Sequence, residues 1–171
     1  GDAAGGLQFT HVAGYHAGVV IRSLLFGLPS KARTDHIPWT TYTDPELAHV
    51  GLTEAQAKET YGTQTETIRF PYAHNDRAIA EGKTEGQIKL VVAKGRPVGA
   101  TITGAQAGEL ISLWALVVAN RLKMTAVANM VAPYPTLGEL NKRAAGAYFV
   151  PRLFQNPNVK RVVRTVQRLL P

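Results

Sequence analysis

Apolar residues recur at helical spacing between a glycine-rich start and a proline-containing segment. From residue 9 to residue 26 they follow a period of about 3.6 residues, which predicts a helix. Gly27 suits the left-handed position that ends many helices, and Pro29 cannot continue one. Residues 29–38 are therefore expected to form a linker.

Strand patterns dominate the middle of the chain. Aromatic, β-branched or alternating apolar residues predict strands at 39–43, 47–50, 65–72, 86–93 and 97–103. The dipeptide Lys94-Gly95 separates the last two segments and predicts a tight antiparallel hairpin. Thr53 and Gln56 have the spacing of a capping box, which predicts a short helix to about Tyr61.

Helical patterns return after the last strand. Residues 108–122 are apolar on nearly every side and predict a buried helix. A short helix or turn is expected at 124–130 and a longer helix at 136–150, which Pro151 interrupts. Five apolar residues then define an amphipathic terminal helix at 158–171, namely Val159, Val162, Val163, Val166 and Leu170. This order predicts an α+β fold, with helices packed on one face of an antiparallel sheet of about five strands.

Composition narrows the chemistry that this chain can perform. The 171 residues are 45% apolar and 18% charged, which is typical of a globular domain. No cysteine is present, so the chain alone can form neither a dithiol nor a thiolate metal site. The five histidines show no metal-ligand spacing supported by a third ligand, so no metal site is expected. The longest apolar run, residues 110–119, is too short to span a bilayer.

Positive charge is concentrated near the C-terminus. The net charge is +7, and residues 151–171 hold five bases and no acid. Because the rest of the chain is close to neutral, no nucleic-acid partner is expected. The basic terminal helix is interpreted as packing on a dimer with its basic face in solvent. The alternative is contact with an anionic membrane surface.

Five blocks of sequence resemble the flavin- and pyridine-nucleotide-dependent disulfide oxidoreductases. Pro135-Thr136-Leu137-Gly138-Glu139 resembles their active-site loop, whose usual form is His-Pro-Thr-x-x-Glu, and Tyr134 stands in the place of the histidine. Gly1-Asp2 with Thr10-His11 resembles the flavin-contacting end of their first domain. The segments 37–38 with 43–48, 50–54 and 104–111 resemble their dimerisation domain, and the match spans about residues 1–150.

The resemblance implies a C-terminal portion of a longer homodimeric enzyme. Residues 1–34 then close an FAD-binding domain with its last helix, 35–157 form the dimerisation domain, and 158–171 form the terminal helix. The missing N-terminal portion of the same protein supplies the FAD and NAD(P)H sites. Electrons pass from NAD(P)H through FAD to a disulfide or another small acceptor. The enzyme is expected to be cytoplasmic, and this chain alone to be inactive.

The resemblance also implies roles for five residues. Tyr134 and Glu139 would enter the partner's active site as catalytic residues. Asp2 would accept a hydrogen bond from a flavin ribityl hydroxyl, and Thr10 and His11 would lie at a helix start that faces the flavin ring. The alternatives are a turn aspartate at Asp2, a plain N-cap at Thr10, a packing aromatic at Tyr134 and a capping box joining Thr136 to Glu139.

Three alternatives to this disulfide-reductase reading of the parent protein stay open. A tyrosine with an ordinary pKa of about 10 is a poor general base but can still donate a hydrogen bond. Mercuric reductases also carry Pro-Tyr before the threonine, but they use a C-terminal cysteine pair that this chain lacks. The remaining alternatives are a purely structural dimerisation module and a flavin reductase without a dithiol step.

Overall fold

An antiparallel five-stranded sheet forms the centre of the molecule. The computed structural model describes residues 1–170. The strands lie in the order β1-β2-β5-β4-β3. Their bounds are β1 Trp39–Thr41, β2 Glu46–Gly51, β3 Thr65–Pro71, β4 Gly86–Ala93 and β5 Arg96–Gly104. All neighbouring strands pair antiparallel, so the predicted α+β fold and strand number are confirmed.

Seven α-helices surround the sheet within the described residues. They are α1 Thr10–Phe26, α2 Glu54–Tyr61, α3 Asp76–Ala80, α4 Ala107–Ala119, α5 Met124–Ala128, α6 Glu139–Ala147 and α7 Pro157–Leu169. Short 3-10 turns occur at Asp2–Ala4, Gly62–Gln64 and Tyr72–His74, and a π-helical turn at Pro151–Gln155. The pattern predicted every one of the helices except α3.

The hairpin between β4 and β5 shows why the sequence turns where it does. Lys94 and Gly95 both have positive φ angles, 52° and 73°. Two consecutive left-handed residues form the turn whose twist matches that of the flanking strands. Ala93 pairs with Arg96 directly across this turn, which confirms the predicted hairpin.

The main core lies between one face of the sheet and helices α4, α5 and α6. Alternate residues of β4 and β5, including Leu90 and Ile102, are fully buried against Trp114 of α4 and Leu140 of α6. Helix α2 packs on the opposite face, where Nζ of Lys89 lies 2.8 Å from Glu54. Helices α4, α5 and α6 thus occupy one face, as predicted, and α2 packs on the other.

Two predicted helices are too long. The helix predicted at 136–150 begins at Glu139 and ends at Ala147. The helix predicted at 108–122 ends at Ala119. Arg121 adopts a positive φ of 51°, which stops regular helix geometry.

Tyr72 fixes the segment that leads from β3 into α3. Its ring is fully buried, and its hydroxyl donates a hydrogen bond of 3.0 Å to the carbonyl of Ala105. Gly104 has a φ of 140°, and a Cβ there would lie 2.6 Å from Cζ of Tyr72. Glycine is therefore required at this strand end, and the turn at Tyr72–His74 is anchored to the sheet.

Helix α7 is the outermost element of the fold. It contacts the Pro151–Gln155 turn and has no buried residue. The amphipathic helix predicted at 158–171 is present from Pro157 to Leu169, and Pro171 lies outside the described residues. None of the helices between residues 1 and 170 has the length and apolar character needed to cross a membrane.

Candidate functional site

The loop between α5 and α6 carries Tyr134 and leads into Glu139, the first residue of α6, and Asn75 holds this loop in place. Asn75 is fully buried. Its side-chain NH2 donates a hydrogen bond of 3.1 Å to the carbonyl of Thr136, and its Oδ1 accepts one of 2.9 Å from the backbone N–H of Ala78. The same amide therefore caps α3 and fixes the loop beside it.

Tyr134 projects from this loop and is 68% exposed. Its hydroxyl donates a hydrogen bond of 2.9 Å to Oδ2 of Asp76, the first residue of α3. That oxygen also lies 3.9 Å from Nη2 of Arg143, and Nη1 of Arg143 donates a hydrogen bond of 2.7 Å to the carbonyl of His74. A phenol, a carboxylate and a guanidinium thus form one cluster at the molecular surface.

The cluster reinforces the neutral state of the Tyr134 phenol. The hydrogen bond to Asp76, together with the negative charges of Asp76 and Glu139, raises the pKa of the Tyr134 phenol above its ordinary value. The side chain is consequently neutral near pH 7 and cannot act there as a general base. It can donate its one proton or accept a hydrogen bond through its oxygen.

Glu139 begins helix α6 and does not cap it. The predicted capping box is wrong, because Gly138 is the N-cap and no side chain caps this helix. The hydroxyl of Thr136 donates instead to the carbonyl of Pro133, 2.7 Å away, within the loop. Oε2 of Glu139 is buried and has no hydrogen-bond partner among residues 1–170. A buried carboxylate oxygen of this kind favours a donor from outside the described chain.

The predicted cofactor-contacting residues lie together at the start of α1. Gly1 packs against this helix, since a Cβ there would lie 3.1 Å from Cβ of Ala13, and the next residue, Asp2, is exposed. Thr10 is the first residue of α1 and not its N-cap, because that position belongs to Phe9. The alternative reading of Thr10 as a plain N-cap is therefore wrong.

His11 is tied to the linker before β1. Its Nε2 lies 2.9 Å from the carbonyl oxygen of Pro38, and its ring stacks on Phe9 with centroids 5.2 Å apart. This bond fixes the start of α1 beside the β1 edge of the sheet.

The two groups of predicted residues lie at opposite edges of the sheet. Helix α1 is bound to the chain just before β1, whereas α6 packs on β3 and β4. β1 and β3 are the two edge strands. Four strand spacings separate them, which corresponds to about 19 Å. The structure does not bring Asp2, Thr10 and His11 together with Tyr134 and Glu139 in one protomer.

His49 has structural surroundings. His49 is buried, and its ring nitrogens lie 2.9 Å from Oγ1 of Thr101 and 3.0 Å from the carbonyl oxygen of Gly51. Burial lowers the pKa of His49, so the ring is neutral near pH 7. No group of three or more His, Cys, Asp or Glu side chains in the described part of the chain could hold a metal ion.

Comparison with known proteins assigns the family. A family model described as the dimerisation domain of pyridine nucleotide-disulphide oxidoreductases matches residues 37–145, well over half of the chain. The chain belongs to this family. The predicted resemblance is thereby confirmed.

Relatives within the family include two dihydrolipoyl dehydrogenases. The protein from Bacillus subtilis is 37% identical over 147 residues, which cover 85% of this chain and 31% of that protein. The protein from Rhizobium etli is 40% identical over 150 residues, covering 84% of this chain and 30% of that protein. The chain spans about a third of the length of these relatives.

Solved structures of the family share the fold. LpdA from Mycobacterium tuberculosis superposes with a TM-score of 0.79 at 28% identity, covering 85% of this chain and 32% of that chain. The HOCl-induced flavoprotein disulfide reductase RclA from Escherichia coli gives a TM-score of 0.77 at 27% identity, covering 85% of this chain and 34% of that chain.

Three residues of the candidate site were not predicted from the sequence. Asn75, Asp76 and Arg143 hold the loop and its tyrosine, although they lie in other segments. A signal for the first two was present, because asparagine followed by aspartate is typical of a helix start. No local pattern indicates Arg143, because its partners lie more than 60 residues away in the chain.

Proposed function

We propose that this chain is the dimerisation part of a homodimeric FAD-dependent NAD(P)H oxidoreductase of the disulfide reductase family. Electrons pass from NAD(P)H through FAD to a disulfide or another small acceptor. Residues 1–34 belong to the FAD-binding domain, and the remainder of that domain and the NAD(P)H site are supplied by the rest of the parent protein. The cytoplasmic location stays a prediction.

The observation that carries this proposal is the placement of the two residue groups at opposite edges of one sheet. The two edge strands lie about 19 Å apart, so a loop at one edge is poorly placed to serve a flavin bound beside the helix at the other edge. A two-fold symmetric dimer can bring the loop of one protomer to the helix of the other. The partnerless Oε2 of Glu139 supports this arrangement, since a partner subunit or substrate could supply its donor.

The residues at the start of α1 fit part of an FAD molecule. Asp2 offers an exposed carboxylate, which accepts hydrogen bonds from hydroxyl groups. The first backbone N–H groups of α1, at Thr10 and His11, lack intrahelical acceptors by geometry and favour a carbonyl or a negative charge. When bound, FAD would relay two electrons between NAD(P)H and the acceptor.

Tyr134 positions the acceptor in this proposal. Its neutral hydroxyl can accept a hydrogen bond from a thiol. Alternatively, it can donate its hydrogen bond to a thiolate or a substrate oxygen instead of to Asp76. Asp76 and Arg143 hold the ring at the surface where the partner protomer's site would close over it. Glu139, at the start of α6, offers its buried Oε2 as a further acceptor.

Subunit complementation of the full-length parent tests the shared site. Tyr134→Phe should lower turnover and leave the dimer intact, and Asp2→Asn should weaken flavin binding. When the two variants are mixed at random, half of the dimers contain one subunit of each variant, and each such dimer has one fully intact site out of two. Activity should therefore return to about a quarter of wild type. Native mass spectrometry of tagged and untagged chains mixed in the same way serves as the control for exchange of subunits.

Two results would count against the proposal. Unchanged turnover in Tyr134→Phe removes the tyrosine from the mechanism and favours a purely structural module. Failure of the mixed dimers to recover activity, with exchange demonstrated, argues against a site shared between subunits. Anaerobic NADH and NADPH titration with alkylation and mass counting of new thiols then decides whether the acceptor is a disulfide, because flavin reduction without new thiols excludes a dithiol step.

A further inference from the structure

The terminal helix α7 has two sharply different faces. At 100° per residue, its apolar side chains fall within about 120° of the helix circumference. They are Val159, Val162, Val163, Val166 and Leu169. The four basic residues of the segment lie around the opposite side, namely Lys160, Arg161, Arg164 and Arg168.

The apolar face is not covered by the rest of the protomer. Val162 is 62% exposed and Leu169 is 74% exposed. The Pro151–Gln155 turn contributes Leu153 and Phe154, which line a shallow groove together with Val159 and Val163 and are themselves exposed. The turn therefore extends the apolar surface instead of burying it.

The basic face lacks acidic partners. None of its four side chains forms an ion pair with any residue from 1 to 170, whereas the nearby Arg152 is bound to Glu66 at 2.6 Å. Since residues 151–171 contain no acid, the segment presents a uniform positive charge. An anionic surface is the electrostatic complement of such a face.

From these observations we propose that α7 lies in the surface of an anionic phospholipid bilayer. Its valine and leucine side chains enter the boundary between headgroups and acyl chains, and its Lys and Arg side chains contact the phosphates. Phe154 and Leu153 add a second apolar contact beside the helix.

A second copy of the chain is a weaker occupant for this surface. Six of the twelve acidic side chains already hold hydrogen-bond or ion-pair partners within the chain, namely Asp35, Glu46, Glu54, Glu66, Asp76 and Glu81. Helix α7 also lies outside residues 37–145, which match the dimerisation domain of the family. A nucleic acid would satisfy the basic face but would leave the apolar face in water.

Vesicle co-sedimentation of the full chain tests the proposal. Vesicles of phosphatidylcholine with about 30% phosphatidylglycerol should bind it at least tenfold more tightly than pure phosphatidylcholine, because each Lys or Arg near an anionic surface contributes about fivefold. Adding NaCl should weaken this binding through screening.

Two neighbouring substitutions separate the apolar face from simple charge. Val166→Glu places a carboxylate on the apolar face, whereas Thr165→Glu makes the same charge change on the polar side of the helix. Both variants should lose affinity because of the added negative charge. Val166→Glu should bind at least about tenfold more weakly than Thr165→Glu, because it also loses a valine side chain that enters the bilayer on binding. Unchanged far-UV circular dichroism in solution serves as the folding control, because α7 contributes no residue to the core.

Three outcomes would overturn the proposal. One is no preference for anionic vesicles over neutral ones, and another is equal binding by Val166→Glu and Thr165→Glu. The third combines two observations: the wild-type chain does not bind vesicles, and sedimentation velocity shows a changed oligomeric state in Val166→Glu but not in Thr165→Glu. That result would assign the apolar face to a second copy.

Discussion

Replacing Asn75 by alanine should destabilise the fold through two separate losses. The side-chain oxygen caps α3 at Ala78, and losing an N-cap costs about 1 kcal/mol. The side-chain NH2 group holds the carbonyl of Thr136, and losing the partner of a buried polar group costs about 1–3 kcal/mol more. The free energy of unfolding should therefore fall by about 2–4 kcal/mol.

Thr53→Ala is the matched control, because Thr53 caps α2 through its side chain but is exposed and holds no distant loop. It should cost only about 1 kcal/mol. Urea denaturation with an unchanged m-value measures both variants. Hydrogen exchange should also rise at residues 133–138 in Asn75→Ala and not in Thr53→Ala. A difference between the two variants below about 0.5 kcal/mol would refute a stabilising role for the Thr136 bond.

Two further substitutions test the sheet surface and the core. Hydrogen bonds from Lys58 and Lys89 lower the pKa of Glu54 from its ordinary 4.5 to about 2, so its contribution to stability is present above pH 4.5 and is lost as pH falls toward 2. The melting temperature of Glu54→Gln should accordingly fall less steeply with decreasing pH over that range than the melting temperature of Glu59→Gln. Glu59 is the control because its position on the helix is exposed. Asn141→Ala leaves the buried indole N–H of Trp114 without its 2.7 Å acceptor and should lower the free energy of unfolding by about 2–4 kcal/mol in urea. Loss of an exposed bond in Asn120→Ala should stay within about 0.5 kcal/mol, and equal effects would contradict the burial argument.

Most of the sheet could be predicted because its signals are local. Alternation in β4 and β5 indicates which residues face the core, and Lys94-Gly95 specifies the turn between them. The helix ends were less predictable. Thr136 and Glu139 have the spacing of a capping box, but the hydroxyl of Thr136 bonds within the loop to Pro133, so the helix begins later. The helix boundary therefore depends on whether the Thr136 hydroxyl caps the helix or bonds to a carbonyl within the loop.

The candidate site was predictable only as far as its loop. Tyr134 and Glu139 stand in a recognisable motif, but the groups that fix them come from distant segments. Asn75 and Asp76 reach the loop because Tyr72, buried beside Gly104, anchors the preceding turn to the sheet. Contacts of this kind depend on tertiary packing, and a local pattern of residues does not specify them.

The surroundings of Tyr134 restrict what it can do in a redox site. A phenol has one proton, and here that proton is donated to Asp76. The pKa of the phenol is raised, so the ring does not collect a proton from a thiol as a neutral histidine would. Arg143 lies 3.9 Å from the same carboxylate oxygen and partly offsets its charge, which weakens the hold of Asp76 on the phenol. A thiolate beside the exposed ring can therefore replace Asp76 as the acceptor of the hydrogen bond that the phenol donates. The tyrosine would then stabilise that anion without losing its proton.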